Sequence, residues 1–146
     1  PPHVLQPGSV RRIKAPFEDY HHVPVAAEAK ALADHGIIVT IGAHGQREGL
    51  ASHWEMWGFA QGGMSPVEVL ATATIWPARK LGFADDLGSI EAGKLADLVV
   101  LDTNPLEDIY ATDGVDKVML NGRLYEAETL NEIATGDRRT QPFYWQ

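Results

Sequence analysis

Cysteine is absent from the 146 residues of the chain. That excludes disulfides, thiolate metal sites and cysteine nucleophiles. Positive charge is scarce as well: 12 Lys and Arg stand against 20 Asp and Glu, a formal net charge of −8. A broad phosphate-binding surface needs the opposite balance, so no nucleic-acid partner is expected and a soluble acidic protein is. The basic pairs Arg11-Arg12 and Arg138-Arg139 are too short to reverse this. No apolar run approaches the ~20 residues that span a membrane, so no membrane partner is expected. The chain opens on Pro1-Pro2-His3, with no start methionine, basic segment or apolar segment of a secretion signal. Such an opening reads as that of a fragment or processed piece, and leaves the compartment open. Internal repeats and low-complexity segments are missing too.

What remains is an ordinary globular composition, 45% hydrophobic, enough for one domain or two small pieces. Prolines and glycines break residues 1–23 into loop. Pro24 suits the first turn of a helix. Val25, Ala29, Leu32 and Ala33 come next at helical spacing, and Gly36 is a natural stop. Helices are therefore expected near 24–35, 49–61 and 65–76. The last opens on Ser65-Pro66-Val67-Glu68, a cap, a first-turn proline and the acid of a capping box, and Pro77 limits or kinks it. Between the first two helices, Ile37–Ile41 is apolar on both faces, as a buried parallel strand is. This alternation is α/β in character.

The texture changes after Leu81. A short strand and a turn are expected within "LGSIEAGK", then strands near 97–102, 116–121 and 123–127, the last two joined at Asn121-Gly122 as a hairpin. The aromatic run Phe143-Tyr144-Trp145 is expected to dock on a core or a neighbouring subunit.

The six histidines form no His-x-His and no His-Glu-x-x-His pair, so spacing alone defines no metal site. His21 and His22 precede a helix, where capping or solvation explains them. His35 closes a helix, where the macrodipole favours a cation. His53 lies beside Trp54 and Trp57, as a half-buried structural histidine would. Asp97 and Asp102 bracket a strand as turn and cap residues. His44 differs by its place, just past the strand Ile37–Ile41 and between the small residues Ala43 and Gly45. In parallel α/β sheets and barrels, reactive groups collect at the C-terminal ends of strands. A site role and a turn role for His44 both remain open on these grounds.

The run from Thr72 to Ile109, "TATIWPARKLGFADDLGSIEAGKLADLVVLDTNPLEDI", resembles the C-terminal signature of the amidohydrolase superfamily. The resemblance is carried by Thr74, Pro77 and Ala78, then by Gly88-Ser89-Ile90-Glu91, Gly93-Lys94 and Ala96-Asp97-Leu98-Val99-Val100. "VMLNGRLY" is similar to the last hairpin of the family's small β-sandwich. Upstream, the stretch from Tyr20 to Trp57 resembles the subgroup often joined to a TolB-like β-propeller, so the likeness covers about Asp19–Glu126.

The resemblance implies an α/β fold: the C-terminal fragment of a (β/α)8 TIM barrel, residues 1–80, then strands of the small composite β-sandwich, residues 81–146. It also implies a divalent metal, zinc above all, in the full-length parent. The family's ligands are a His-x-His after the first barrel strand, residues after the middle strands and an aspartate after the eighth. This chain starts after almost all of them, so no metal is expected to be held tightly by it alone. Ile37–Ile41 corresponds to the eighth strand, and His44 stands where the family has aspartate. A neutral imidazole can ligate a metal or accept a proton. His44 is thus the candidate catalytic residue and metal ligand, with His53, Glu48, His21 and His22 as candidates for contacting substrate or supporting the site.

The resemblance implies one of two functions. One is the C-terminal part of a metal-dependent amidohydrolase that cleaves carbon–nitrogen or related bonds in a small molecule with metal-activated water. The other is a non-catalytic folded fragment or association module of that family. In either case the expected partner is the missing N-terminal barrel segment or another copy of the chain.

Overall fold

Pro24 and Gly36 bracket the first helix as their chemistry requires. The computed structural model describes residues 16–44, 47–135 and 139–141. The N-terminal stretch expected as loop, with His3 and Arg11-Arg12, the residue Arg138, and the aromatics Phe143-Tyr144-Trp145 lie outside the described residues. A single 3-10 turn, Phe17–Asp19, leads into α1, His22–Asp34. Pro24 falls in its first turn, where a missing N–H has no intrahelical partner to lose. At the other end His35 Nδ1 donates back to the Ala31 carbonyl at 2.8 Å, and Gly36 takes the left-handed φ of +79° that turns the chain.

The second helix, α2, is Leu50–Gln61, and Gly62 comes directly after it. A Cβ on Gly62 would lie 2.5 Å from that of Ala26, so α1 and the end of α2 meet backbone to backbone there. The third, α3, Pro66–Ala73, carries the expected capping box in full. The Glu68 N–H donates to Ser65 Oγ at 3.4 Å, and the Ser65 N–H donates to Glu68 Oε2 at 2.8 Å.

The single helix expected over 65–76 is in fact two. It breaks at Thr74, where φ is −130° and ψ −94°, and α4, Ile75–Leu81, starts afresh. The Thr74 hydroxyl donates to the Leu70 carbonyl at 2.7 Å, the back-bonding that bends helices. Pro77 is therefore not the limit. It sits in the first turn of α4, where it costs no hydrogen bond.

Residues 37–41 form no strand among the described residues. The expected ladder fails because a strand needs a paired neighbour. Here the Ile41 N–H donates instead to the Thr72 carbonyl of α3 at 3.1 Å. Val39 and Ile41 pack against the core while their chain neighbours Ile37 and Ile38 are exposed, so the run is covered towards its C-terminal end rather than on both faces along its length.

The β-rich half has three strands, β1 Leu98–Leu101, β2 Val115–Leu120 and β3 Arg123–Glu126. They form one antiparallel sheet in the order β1-β2-β3, with Leu98 opposite Met119 and Val118 opposite Tyr125. The hairpin turns at Asn121 and Gly122, both at positive φ as a tight primed turn requires. Asp97 anchors its tip by accepting the Asn121 N–H at 2.6 Å, the turn role expected for it.

The short strand expected in "LGSIEAGK" is absent; that run is turns and bends. Lys94 organises it instead. Its ammonium donates to the Ala84 carbonyl and to Ser89 Oγ, each at 2.6 Å, and pairs with Glu91 at 3.2 Å. The buried core is Met56, Met64, Val69 and Ile109. Ile109 comes from the segment between β1 and β2, so the helices and the sheet-bearing half share one core.

Candidate functional site

The extended run ends on two successive backbone amides, each tied to a different helix. Ile41 donates its N–H to Thr72 of α3, which is fully buried and whose own hydroxyl donates to the Val69 carbonyl at 2.6 Å. The next amide, Gly42, donates to the Glu55 carboxylate of α2 at 2.7 Å. Two residues on stands His44, exposed and without a hydrogen bond to a described residue.

The other sequence candidates are spread around it. Glu48 is exposed on the turn that enters α2. His53 is half-buried on α2, with Nδ1 fully enclosed and unpartnered. His21 occupies the cap position of α1 but its side chain makes no capping bond. His22 starts α1 and donates from Nε2 to Gln61 Oε1 at 2.7 Å, with the rings of Phe17 and Tyr20 edge-on to it. His22 lines an open cleft of about 460 Å³ between α1 and α2, together with Trp54, Glu55, Trp57 and Gln61. His21, His44, Glu48 and His53 do not line it.

Among the described residues no three of His, Asp or Glu gather where they could hold a metal ion. A protein zinc site takes at least three such donors. The described residues of this chain therefore do not fit a complete metal centre, and His44 offers one donor at most.

Charge is organised elsewhere, in two structural clusters. Hydrogen bonds from Ser65, with Lys30 nearby, hold the Glu68 carboxyl below its ordinary range. The Ser89 hydroxyl and Lys94 do the same for Glu91. Lys30 is raised, chiefly by its hydrogen bond to Asp34.

Sequence reasoning did not find Glu55 or the Lys94 clamp. Glu55 sits mid-helix between two tryptophans, and nothing in its spacing announces that its carboxylate reaches back to Gly42. Lys94 belonged to the recognised signature, but its burial needed the folded turn to be seen.

A family model for the amidohydrolase family matches residues 18–125. A 95-residue stretch is 45% identical to an imidazolonepropionase of Shouchella clausii, covering 57% of this chain and 21% of that protein. An S-triazine hydrolase of Gordonia rubripertincta is 39% identical over 71 residues, 40% of this chain and 15% of that one. Among solved structures, an Xaa-Pro dipeptidase with methionine bound in its active site superposes with a TM-score of 0.64 at 32% identity. That match covers 70% of this chain and 26% of the dipeptidase. The matched part thus spans only 21% and 15% of the length of these two curated relatives.

Proposed function

The chain belongs to the amidohydrolase family of hydrolases, and we propose that it is the C-terminal part of a metal-dependent enzyme that cleaves a carbon–nitrogen or related bond in a small molecule. The observation that carries this reading is the family match over residues 18–125. In this reading residues 1–80 close a (β/α)8 barrel and residues 81–146 contribute to the small β-sandwich. Ile37–Ile41 is the last barrel strand. The apolar side chains it leaves uncovered support that reading, since Ile37 and Ile38 are 52% and 39% exposed. These side chains await either the rest of the barrel or a second copy of the chain.

His44 then stands at the barrel mouth, where the family's aspartate is replaced. Its imidazole accepts a proton from the attacking water and later returns it, the work of a general base. Glu48, His53, His21 and His22 are assigned to substrate contact or support. A divalent metal, zinc by the family's habit, would supply activated water in the parent. Its ligands are not assembled by the described residues.

The gathering of no three metal donors among the described residues also favours a second reading: a non-catalytic association module of the family, in a protein without turnover. One experiment separates the two. The full-length protein and the 146-residue chain are each assayed on an Xaa-Pro dipeptide, an imidazolonepropionate and an S-triazine, chosen from the relatives' names. Turnover by the full-length protein and none by the chain is the expected result. No turnover by either, with metal supplied, would support the association module instead.

A further inference from the structure

The proposed base His44 makes no hydrogen bond of its own to a described residue. Its position must therefore come from the backbone that carries it. That backbone is held at Ile41 by buried Thr72 and at Gly42 by Glu55, whose Oε2 accepts the Gly42 N–H at 2.7 Å. Packing does not share in the second tie. A Cβ built on Gly42 would meet no atom within 4 Å, and Gly42 is not among the residues at positive φ. A glycine in open space is the least constrained residue a chain can have, so the hydrogen bond supplies a restraint that no side chain of Gly42 provides.

Glu55 is suited to this. It is half-buried in α2, near Trp57, whose indole N–H is bonded to Thr112 at 3.0 Å and pins that stretch of helix. A carboxylate accepting an amide N–H makes a shorter and stronger bond than a neutral acceptor does.

We propose that Glu55 is the positioning residue for His44, fixing through the Gly42 N–H the backbone from which the imidazole is presented. This rests on the reading that His44 acts in the site. Glu55 touches no reacting atom in this scheme and acts only through the Gly42–His44 segment. Its loss should loosen that segment and lower kcat more than it changes KM. Its replacement by glutamine, which keeps an acceptor at the same reach, should restore most of both.

The test uses the isotopically labelled full-length protein with Glu55→Ala, Glu55→Gln and His44→Ala. Glu55→Leu stands in if the alanine variant folds poorly. Amide exchange at Gly42 is expected to accelerate about tenfold or more in Glu55→Ala, since the amide loses its protecting partner. Backbone order parameters at Ala43 and His44 should fall from the rigid range near about 0.85 towards about 0.6. Glu55→Gln should resemble the wild type in both. Unchanged Gly42 exchange and unchanged order at His44 in Glu55→Ala would overturn the positioning role, whatever His44→Ala does to turnover. Loosening of Gly42 in Glu55→Ala with full turnover in His44→Ala would instead remove the active-site reading and leave the hydrogen bond standing.

Discussion

The indole N–H of Trp57 donates to the Thr112 hydroxyl at 3.0 Å, across 55 residues of sequence. It joins α2 to the turn that precedes β2, and Thr112 is only 2% exposed. Removing the donor leaves a buried hydroxyl unsatisfied. Trp57→Phe should therefore cost more than a lost contact, about 2–3 kcal/mol including the smaller ring. Thr112→Val removes the hydroxyl at the same shape and should cost less. A double-mutant cycle by urea unfolding is expected to give a coupling of about 1 kcal/mol; additive losses would show the bond to be energetically idle.

The Ser65–Glu68 capping box carries a pH signature. Its hydrogen bonds lower the folded pKa of Glu68. A lowered folded pKa stabilises the protein above the unfolded carboxyl pKa, and that stability is lost as pH falls through the folded value. Ser65→Ala should cost about 1 kcal/mol at pH 7. The gap between it and the wild type should shrink in unfolding curves taken below about pH 4. A gap independent of pH would mean that the serine caps without help from the carboxylate.

Two glycines give opposite expectations. At Gly62 a Cβ would lie 2.4 Å from the carbonyl carbon, 2.5 Å from the Cβ and 2.6 Å from the carbonyl oxygen of Ala26. Gly62→Ala should force α1 from α2 and destabilise by about 1–3 kcal/mol or more. At Gly42 there is room and no positive φ, and alanine keeps the N–H that Glu55 accepts. Gly42→Ala should be neutral or slightly stabilising, within about 1 kcal/mol. Melting temperatures of the two variants check both.

Lys94 offers a further structural test. Its side chain is 11% exposed and its ammonium closes the turn through Ala84 and Ser89. Lys94→Met keeps the aliphatic stem but leaves those acceptors unmatched, an expected loss of about 1–3 kcal/mol. Glu91→Gln, which touches only the exposed end of the cluster, should cost far less, because solvent screens an exposed ion pair. Equal losses would place the strength of the turn in the ion pair rather than in the lysine's hydrogen bonds.

The parts of the fold legible in the sequence are those fixed by local chemistry. Pro24 and Gly36 bound α1, Ser65-Pro66 and Glu68 start α3, and Asn121-Gly122 turns the hairpin. Each uses a residue whose backbone or capping preference acts within a few positions. What sequence reasoning missed depends on distant partners. Residues 37–41 read as a strand by composition, but a ladder is a property of two segments, and no described segment pairs with them. The break at Thr74 comes from a hydroxyl turned back on its own helix, which the neighbouring Pro77 masked as the more obvious breaker. The candidate site shows the same division. His44 is proposed from its place after an apolar run, whereas the bond from Gly42 to Glu55 is reached only by folding α2 against that run.

The most direct measurement is kcat and melting temperature on one variant, His44→Ala, in the full-length protein with the substrate it turns over. If His44 is the base at the barrel mouth, most turnover disappears while the melting temperature stays within a few degrees, because the exposed imidazole contributes little to packing. Unchanged kcat with stability lowered by about 1 kcal/mol would make His44 a turn residue and contradict its place in the site.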